Sequence, residues 1–548
     1  MKKLIKTLKG KKSSGMDWIC GYSLKIVANE ISPELKTLVN LSIKTGRFYS
    51  KWKYSKILPG YKLKGNKFEA QYYRPIANLS EVSKLTERAI YDQIYEYLLV
   101  NELFHPDHHG CHKNHSTATA VQQLLDLWLS GMEEGKLSAA VLLDLRAGFD
   151  VVNHSLLLQK LKEYGFQDLT LSWFGDYLGN RYQCVQIESA LSSNLKVPWG
   201  VPQGSILGPL LFLIFLNELP NIIKNTEETS DTEKQEAEGS IVIFVDDNTP
   251  TVSEKDPVRL LEKMQAKTDL VTDWFGKNDL TCSGEKTKLL VVGTRANRVA
   301  KIGDRNLELV VNGDIVKEST SEKLLGMVVN NTATWHHHLH GDDENDGLLP
   351  TLAKRVGVLK KLRKYTPDNK FKQLVSGIFT SKLMYGATAW GGVWDIPGVM
   401  ATDVTVNKTS VTKQDVRKLQ ILQNKVMRLE SKCDIYTPTV TLLDKTKSLS
   451  VHQMFAMYTL TQTYKVMSTQ QPKYHYTRLV RDIQVGPETR SERDRLVEFE
   501  LSVSKGSFFY QSSRLWAALP SRIKYVNKVN IFKKQCKKWT RENILVKP

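Results

Sequence analysis

The sequence has few cysteines and no long apolar segments, and these absences exclude several classes of protein. Its six cysteines are scattered, with no C-x-x-C pair among them. That spacing argues against a zinc finger and favours reduced thiols in an intracellular protein. No apolar run reaches membrane-spanning length, and the Lys-rich residues 1–12 are followed by no apolar segment. We therefore predict neither a transmembrane helix nor a secretory signal, and we interpret residues 1–12 as a solvated start.

Acidic residues are also scarce relative to basic ones. The chain has 58 Asp and Glu against 77 Lys and Arg, which gives a net charge of +19 over 548 residues. This balance predicts a polyanionic partner, although association with a ribosome or a membrane surface would also suit it. We expect a location in the nucleus or the cytoplasm rather than secretion.

One stretch places two carboxylates directly after an apolar run. The residues from Ile241 to Val245 are apolar and mostly β-branched or aromatic, and Asp246 and Asp247 follow at once. The pattern predicts a buried strand that ends in a tight turn. Like charges this close repel unless a cation neutralises them, which indicates a divalent metal site with hard oxygen ligands. The alternative is an ordinary hairpin turn, because Asp and Asn favour turns.

A second apolar run delivers another carboxylate about a hundred residues earlier. Residues Ala139 to Leu143 lead into Asp144. If the two strands are neighbours, Asp144 and Asp246 can hold two metal ions roughly 4 Å apart, the arrangement used for in-line displacement at phosphorus. The two stretches together therefore favour the metal site over the hairpin turn.

Between these stretches lies a loop rich in glycine and proline, from Gly200 to Pro209. Such a backbone can pass close to a ligand, and Gln203 offers a donor and an acceptor there. A plain loop before a buried helix is the alternative. The order strand, helices, hairpin, helix, strand predicts an antiparallel sheet backed by helices, an α+β fold, and the pattern becomes all-helical after Leu348.

Three polar segments are candidates for further phosphate-binding or metal-binding sites. Lysines from Lys62 to Lys67 surround short strands and suit phosphate binding, although a solvated hairpin is an equal alternative. Five histidines and a cysteine lie between His105 and His115, but their crowding disfavours a zinc site. The run Trp335 to His340 is interpreted as a solvated helix start rather than a metal site.

Taken together, these motifs resemble those of one known family: Leu143-Asp144-Leu145 with Phe149-Asp150, the box from Gly200 to Pro209, and Phe244-Val245-Asp246-Asp247. From about Leu35 to Trp539 the chain resembles the reverse transcriptase of non-LTR, LINE-type retrotransposons of the jockey-like group. The resemblance implies a right-hand polymerase fold with fingers, an antiparallel-sheet palm, a helical thumb and a mostly helical C-terminal region. The implied regions are 1–45 (basic, helical lead-in), 46–330 (fingers and palm), 331–430 (thumb) and 431–548 (C-terminal).

The resemblance also implies a role for individual residues. Asp144 and Asp246 would be metal ligands and Asp247 a supporting catalytic carboxylate. Phe149 would lie under the sugar and block a ribose 2′-OH. The remaining residues would contact the incoming nucleotide (Gln203, Gly204, Arg74 and Lys286, the last as the acid that protonates pyrophosphate) or the primer and template (Leu325, Gly326, Lys62 and Lys64).

The implied activity is RNA-directed DNA synthesis with two Mg²⁺ ions, or Mn²⁺ in their place. The implied partners are an RNA template, a DNA primer, dNTPs and the RNA of the element itself, with no membrane and no endonuclease domain in this chain. An RNA-dependent RNA polymerase is a competing interpretation, against which Phe149 argues. Departures from the family pattern at His108, Cys111, His112, Asn153 and Val245 leave open an inactive or domesticated copy that only binds RNA.

Overall fold

The computed structural model describes residues 1–10, 13–63, 65–224, 239–392, 411–480 and 507–544. Among these residues the α-helices are, in chain order, α1 (Lys2–Thr7), α2 (Gly21–Ile26), α3 (Ala28–Thr45), α4 (Glu81–Val100), α5 (Thr117–Glu133), α6 (Gly148–Val151), α7 (His154–Glu163), α8 (Asp168–Leu178), α9 (Gly208–Leu216), α10 (Leu219–Lys224), α11 (Pro257–Lys277), α12 (Arg295–Lys301), α13 (His336–His340), α14 (Leu348–Arg363), α15 (Asp368–Val375), α16 (Ser381–Leu383), α17 (Ala387–Trp390), α18 (Lys413–Ser431), α19 (Thr439–Thr446), α20 (Val451–Thr469), α21 (Lys473–Val480), α22 (Phe508–Ala518), α23 (Ser521–Lys524) and α24 (Val529–Asn543). The β-strands are β1 (Tyr54–Tyr61), β2 (Tyr73–Asn78), β3 (Leu137–Asp144), β4 (Arg181–Ile187), β5 (Ala190–Leu191), β6 (Leu195–Val197), β7 (Ser240–Phe244), β8 (Asp247–Glu254), β9 (Lys288–Val292), β10 (Glu308–Val311), β11 (Asp314–Lys317), β12 (Ser321–Leu324) and β13 (Met327–Asn330). Strands and helices alternate up to β13 and helices alone follow in the described part of the chain, which confirms the predicted α+β class.

The chain divides into two compact units. Unit 1 comprises Met1–Cys111, Asp144–Glu228 and Asp269–Ser283, and unit 2 comprises His112–Leu143, Thr229–Thr268 and Gly284–Pro548. Each unit is described by itself. The four regions expected from the sequence, and their boundaries, remain predictions.

Unit 1 contains a sheet in which β1 has β2 on one side and β4 on the other. The β1–β2 pair is antiparallel and pairs Gly60 with Arg74, whereas β1 and β4 are parallel. The predicted lysine-bordered hairpin is thus confirmed between β1 and β2. Next to the sheet, the ring of Phe48 packs edge-on against Trp52, Trp173 and Tyr177, with centroids 5.1 to 5.5 Å apart.

One residue near the N-terminus is more buried than the sequence indicates. Ile5, on α1, is fully buried, so the interpretation of residues 1–12 as a solvated start was wrong for this helix. The spacing of apolar residues in a six-residue helix is too short a pattern to reveal that one side chain is buried. The lysines of this segment predict exposure to solvent, and nothing else in its sequence indicates a buried residue.

Unit 2 contains the four-stranded sheet expected from the motifs, in the order β7-β8-β3-β9. The β7–β8 and β3–β9 pairs are antiparallel. On the side of the carboxylate hairpin, the neighbour of β3 is therefore β8. This corrects the arrangement considered from the sequence, in which β3 and the strand before Asp246, which is β7, were neighbours. The alternation of side chains along a strand shows which face of the strand is apolar. It does not show which other strand will be its hydrogen-bonded neighbour.

Helix α5 covers this sheet. It begins with a capping box in which Ser116 and Thr119 each accept a hydrogen bond from the other's backbone N–H, an arrangement that pairs two donors at the helix start. Trp128 is almost fully buried, and its indole Nε1–H donates to the Thr251 hydroxyl on β8 at 3.0 Å. The apolar side of α5 thus closes the core over the sheet.

The C-terminal helices belong to the same hydrophobic core as α5. That core extends from Ala120 to Ile544 and includes residues of α20, α22 and α24. At its margin the buried Asp126 accepts hydrogen bonds from the Tyr474 hydroxyl and from Arg478 Nε, each at 2.8 Å. Burial raises the pKa of Asp126, and the charge of Arg478 opposes that rise. These two hydrogen bonds connect α21 to α5.

Replacing Asp126 with Ala should destabilise unit 2. The substitution removes the buried carboxylate that accepts hydrogen bonds from Arg478 and from the Tyr474 hydroxyl, which costs about 2 kcal/mol. Thermal unfolding should show a lowered midpoint. Asp273→Ala, which removes an exposed carboxylate, serves as the control and should leave the midpoint unchanged. Equal midpoints for the two variants would contradict the role of Asp126.

The run of histidines at α13 is solvated only in part, because His336 is exposed but His338 is buried. His338 is 7% exposed, its ring packs against Trp335 and Trp390, and its Nδ1 accepts a hydrogen bond from the backbone N–H of Val328 at 3.3 Å. Burial lowers the pKa of His338 to about 4. The imidazole is therefore a neutral core side chain at pH 7.

Within the described part of the chain, no helix has both the length and the apolar character that crossing a bilayer requires.

Candidate active site

The β7–β8 hairpin carries Asp246 and Asp247. Phe244 pairs with Asp247, so the loop consists of Val245 and Asp246 alone. Val245 has a φ of 62°, a conformation that costs a β-branched residue of the order of 1–3 kcal/mol. Asn248 is fully buried, and its Nδ2 donates to the carbonyl of Asp246 at 2.9 Å. A strained turn held by a buried amide keeps the half-buried Asp246 in a defined place.

The other predicted ligand, Asp144, is the last residue of β3 and is half-buried. Its carbonyl accepts a hydrogen bond from the backbone N–H of Ser283 at 3.2 Å, and Arg146 donates to the Thr281 carbonyl at 2.8 Å. The backbone on both sides of Asp144–Arg146 is therefore fixed by the segment just before β9. The predicted strand that ends in a carboxylate is confirmed.

The sheet of unit 2 shows how β3 runs relative to the hairpin. Ser138, near the start of β3, lies 2.7 Å from the hydroxyl of Ser253, near the end of β8. The carbonyl of Ala139, the next residue of β3, accepts a hydrogen bond from the Thr251 hydroxyl at 2.9 Å. Advancing along β3 therefore leads to earlier residues of β8, so the two strands are antiparallel. The C-terminal end of β3 and the β7–β8 turn therefore face the same edge of the sheet.

Asp144 itself is grouped with unit 1, while Asp246 and Asp247 are grouped with unit 2. Their convergence on a shared pair of metal ions remains a prediction. Among the residues that the structure describes, no group of three or more His, Cys, Asp and Glu side chains has the spacing of a metal site.

In unit 1 the loop from Gly200 to Pro209 lies against the residues that follow β3. The N–H of Val201 donates to the Phe149 carbonyl at 2.7 Å, and the N–H of Ala77 donates to the Gln203 carbonyl at 2.8 Å. The ring of Phe149 stacks on Phe212, with centroids 4.5 Å apart. Three predicted nucleotide contacts, Phe149, Gln203 and Gly204, are thus held in one hydrogen-bonded arrangement with β2.

A cavity of about 300 Å³ opens beside this loop, and its lining includes Asp150, Trp199 and Gln203. The Nε2 of Gln203 donates to both carboxylate oxygens of Asp150, at 2.9 and 2.8 Å. Partial burial raises the pKa of Asp150, and the hydrogen bonds from Gln203 oppose the rise. The amide of Gln203 is therefore oriented by Asp150 with its oxygen left to accept.

The remaining predicted residues are divided between the two units. In unit 1, Arg74 is exposed on β2, and Lys62 Nζ donates to the Gln71 carbonyl at 2.8 Å. Lys64 lies outside the described residues. The contacts of Lys62 and Lys64 with nucleic acid stay predictions.

In unit 2, Lys286 is exposed at the end of a 3₁₀ turn, Gly284–Lys286. Leu325 and Gly326 form the two-residue turn between β12 and β13 and have φ values of 48° and 82°. The Tyr385 hydroxyl donates to the Leu325 carbonyl at 2.8 Å. The predicted primer-contacting pair thus lies in a tight, braced hairpin.

Comparison with known sequences decides the family of this region. Residues 63–329 match the family described as Reverse transcriptase (RNA-dependent DNA polymerase). These residues form a reverse transcriptase domain. The domain contains Asp144, Asp246, Asp247 and every other predicted site residue except Lys62, which lies one residue before it.

Two Drosophila melanogaster proteins are similar to most of the chain. A probable RNA-directed DNA polymerase from transposon BS is 26% identical over 444 residues, which are 80% of this chain and 45% of that protein. The RNA-directed DNA polymerase from mobile element jockey is 24% identical over 444 residues, 80% of this chain and 44% of that protein. The chain thus spans less than half the length of these relatives. Apo telomerase from Candida tropicalis, truncated from its C-terminal domain, aligns with a TM-score of 0.34 and 13% identity over 56% of this chain and 59% of that one.

The sequence analysis did not identify Glu87, a buried residue of the reverse transcriptase domain. Glu87, on α4, is fully buried and accepts hydrogen bonds from the N–H groups of Ile206 and Leu207 at 2.6 and 3.2 Å. Burial raises the pKa of Glu87, and the charge of the buried Arg181 opposes the rise. The carboxylate thereby holds the end of the Gly200–Pro209 loop at the start of α9.

A signal for Glu87 was present in the sequence. Glu87 shares one helical face with Ser83, Ile90 and Ile94, all of them buried in the structure. An acidic residue on the apolar face of a predicted helix is unusual enough to indicate a specific partner. The partner itself cannot be deduced from helical spacing.

Replacing Gly204 with Ala should distort the loop of the reverse transcriptase domain. Gly204 has a φ of 121°, and an added Cβ would lie 2.5 Å from the carbonyl oxygen of Ala77. The strain and the clash together cost about 2–3 kcal/mol and should weaken the Ala77–Gln203 hydrogen bond. We expect a raised KM for dNTP in a primer-extension assay.

The matched control is Gly135→Ala. Gly135 has a φ of 72° with no heavy atom within 4 Å of an added Cβ. This variant therefore has the strain of the backbone conformation without a steric clash. An unchanged KM for both variants would contradict the role of the Gly204 loop in nucleotide binding.

Proposed function

We propose that this chain is an RNA-directed DNA polymerase of a non-LTR retrotransposon, joining dNTPs to a primer 3′-OH on an RNA template. The observation that carries the proposal is the strained β7–β8 hairpin, which presents Asp246 at the edge of the sheet within a reverse transcriptase domain. In the reaction, the primer 3′-oxygen bonds to the α-phosphorus, the bond from that phosphorus to the bridging oxygen breaks, and pyrophosphate leaves.

The donor set of Asp144 and Asp246 fits magnesium. Mg²⁺ prefers carboxylate oxygens and is usually held by one or two of them, with substrate phosphates and water completing its shell. A set of two protein carboxylates therefore suffices without a third His, Cys or acidic ligand. When bound, two Mg²⁺ ions supply a lowered pKa for the 3′-OH and neutralise charge on the leaving pyrophosphate.

The loop residues of unit 1 would position the nucleotide. Phe149 would lie with its ring under the deoxyribose, supported by the stacked Phe212. Gln203, oriented by Asp150, would accept or donate a hydrogen bond to the nucleotide. Arg74, exposed on β2, would bind the triphosphate through paired hydrogen bonds.

Residues of unit 2 would serve the leaving group and the primer. Lys286 would donate a proton to pyrophosphate, which is a better leaving group once protonated. The Leu325–Gly326 turn would contact the primer, and residues 331–430 would form the thumb. The net charge of +19 supports a nucleic-acid partner held mostly through its phosphates. Lys62 and Lys64 would contact the primer and template. The RNA of the element itself is a further proposed partner.

The test is a primer-extension assay on an RNA template. Purified chain, an annealed DNA primer and Mg²⁺ are incubated with dNTPs or, in parallel, with rNTPs. Extension with dNTPs alone is expected. Extension with rNTPs would favour an RNA polymerase instead, and no extension by folded protein that still binds RNA would favour a binding-only function. Replacing Mg²⁺ with Mn²⁺ in a third reaction tests the choice of metal ion.

A further inference from the structure

Unit 2 contains a basic cavity that the polymerase reaction does not use. It has a volume of about 430 Å³ and is lined by five cationic side chains and a single carboxylate: Lys360, Arg363, Lys364, Arg428 and Lys432, with Asp368. The cavity lies where α14 and α18 end, because Arg363 Nε donates to the Leu429 carbonyl at 2.9 Å. Two helix C-termini therefore meet at this cavity.

Neutralisation of the helix ends does not account for so many cations. Each helix C-terminus carries a partial charge of about −0.5, so two of them and one carboxylate amount to roughly −2 against five positive charges. Asp368 is itself paired with Arg363 and Lys432, the latter at 3.0 Å. The cavity thus keeps an excess of positive charge. The Nε–H of Arg428 is also buried there without a hydrogen-bond partner among the described residues.

The two turns that follow these helices share a sequence. Tyr365-Thr366-Pro367 follows α14, and Tyr436-Thr437-Pro438 follows α18. In both turns the proline is the N-cap of the next helix, with φ and ψ of −58° and 148° at Pro367 and −60° and 150° at Pro438. The proline therefore has the same backbone conformation in both turns.

Each turn is held by an arginine from the cavity. Arg363 Nη1 donates to the Thr366 carbonyl at 3.0 Å, and Arg428 Nη2 donates to the Thr437 carbonyl at 3.1 Å. Both tyrosines are 85% exposed. Exposed aromatic rings in turns that are hydrogen-bonded to the arginines of a basic cavity suit a single-stranded nucleic acid, since bases stack on the rings while cations hold the backbone.

We propose that the cavity and its two Tyr-Thr-Pro turns form a binding surface for a single nucleic-acid strand, with phosphates in the cavity and bases stacked on Tyr365 and Tyr436. This inference deepens the proposed function, on which it rests only for the expectation that the partner is a nucleic acid. The surface adds a site for unpaired strand outside the residues of the polymerase reaction.

The test measures binding rather than synthesis. The full chain carrying Asp246→Ala is titrated against fluorescein-labelled 12-nucleotide RNA, DNA of the same sequence, and the RNA–DNA duplex, and fluorescence anisotropy is recorded. Tyr365→Ala combined with Tyr436→Ala should weaken single-strand binding at least about 30-fold, as expected for the loss of two stacked bases. Duplex binding should change less than about twofold, because paired bases are not free to stack.

Two matched variants separate stacking from other effects. Tyr365→Phe combined with Tyr436→Phe keeps both rings and should bind like the parent. Lys360→Gln combined with Lys364→Gln should reduce the slope of log affinity against log salt by about 1.4 for a single strand. Lys317→Gln combined with Arg295→Gln removes two exposed charges elsewhere in unit 2 and should leave that slope unchanged.

The outcomes decide the proposal independently of catalysis. Of the RNA and the DNA, the strand that loses more affinity in the tyrosine-to-alanine variant is the one that this surface binds. Unchanged single-strand affinity in that variant, or an equal loss for the duplex, would overturn the proposal. Because the assay contains no active polymerase, a chain that fails to extend primers can still pass it, and an active polymerase can still fail it.

Discussion

Asp246→Ala should abolish primer extension on an RNA template. The half-buried carboxylate lies in the two-residue β7–β8 turn, and its loss removes one of only two proposed protein ligands for magnesium. We expect the rate of dNTP incorporation to fall at least about 10³-fold, which corresponds to about 4 kcal/mol of transition-state stabilisation. Single-nucleotide incorporation with saturating primer–template measures this rate directly.

The control for Asp246→Ala is Asp304→Ala, which removes an exposed carboxylate from the same unit. It should retain the parental rate. Circular dichroism and RNA binding of Asp246→Ala should match the parent protein, because the turn is braced by Asn248 through the backbone carbonyl of Asp246. Residual extension near the parental rate would remove Asp246 from the site.

Phe149→Val should let ribonucleotides into the product strand. The Phe149 ring is half-buried and stacked on Phe212, and in the proposed complex it occupies the space that a 2′-OH would need. A smaller side chain removes that clash, so discrimination between dNTP and rNTP should fall by about 100-fold, or about 2.8 kcal/mol. The ratio of kcat/KM for dCTP and CTP gives the discrimination.

Phe149→Tyr keeps a planar ring and should keep the discrimination of the parent protein. Phe149→Val also loses its stacking on Phe212, so its melting temperature is measured alongside. A lower dNTP rate with an unchanged dCTP to CTP ratio would mean that Phe149 supports the loop through Phe212 and does not select the sugar.

Local features of the site were predictable from the sequence. Strand β9 spans Lys288–Val292, as its apolar run indicates. Asp144 ends β3, and Asp246 lies in the tight turn that follows β7, as predicted. These features are encoded within five to ten consecutive residues, through β-branched side chains and turn-forming Asp and Asn. The reverse transcriptase domain was recognisable for the same reason, since its motifs are short and contiguous.

Contacts between distant residues were decided only by the tertiary structure. The sequence did not indicate that β8 lies between β7 and β3, that Glu87 binds the Ile206 and Leu207 amides, or that the arginines which hold two Tyr-Thr-Pro turns line one basic cavity. A periodic pattern shows which face of an element is apolar, but the partner of that face depends on packing across the whole core. The chemistry of this protein was therefore evident in its sequence, whereas the partners that hold its residues in place were selected by packing and hydrogen bonding in the folded chain.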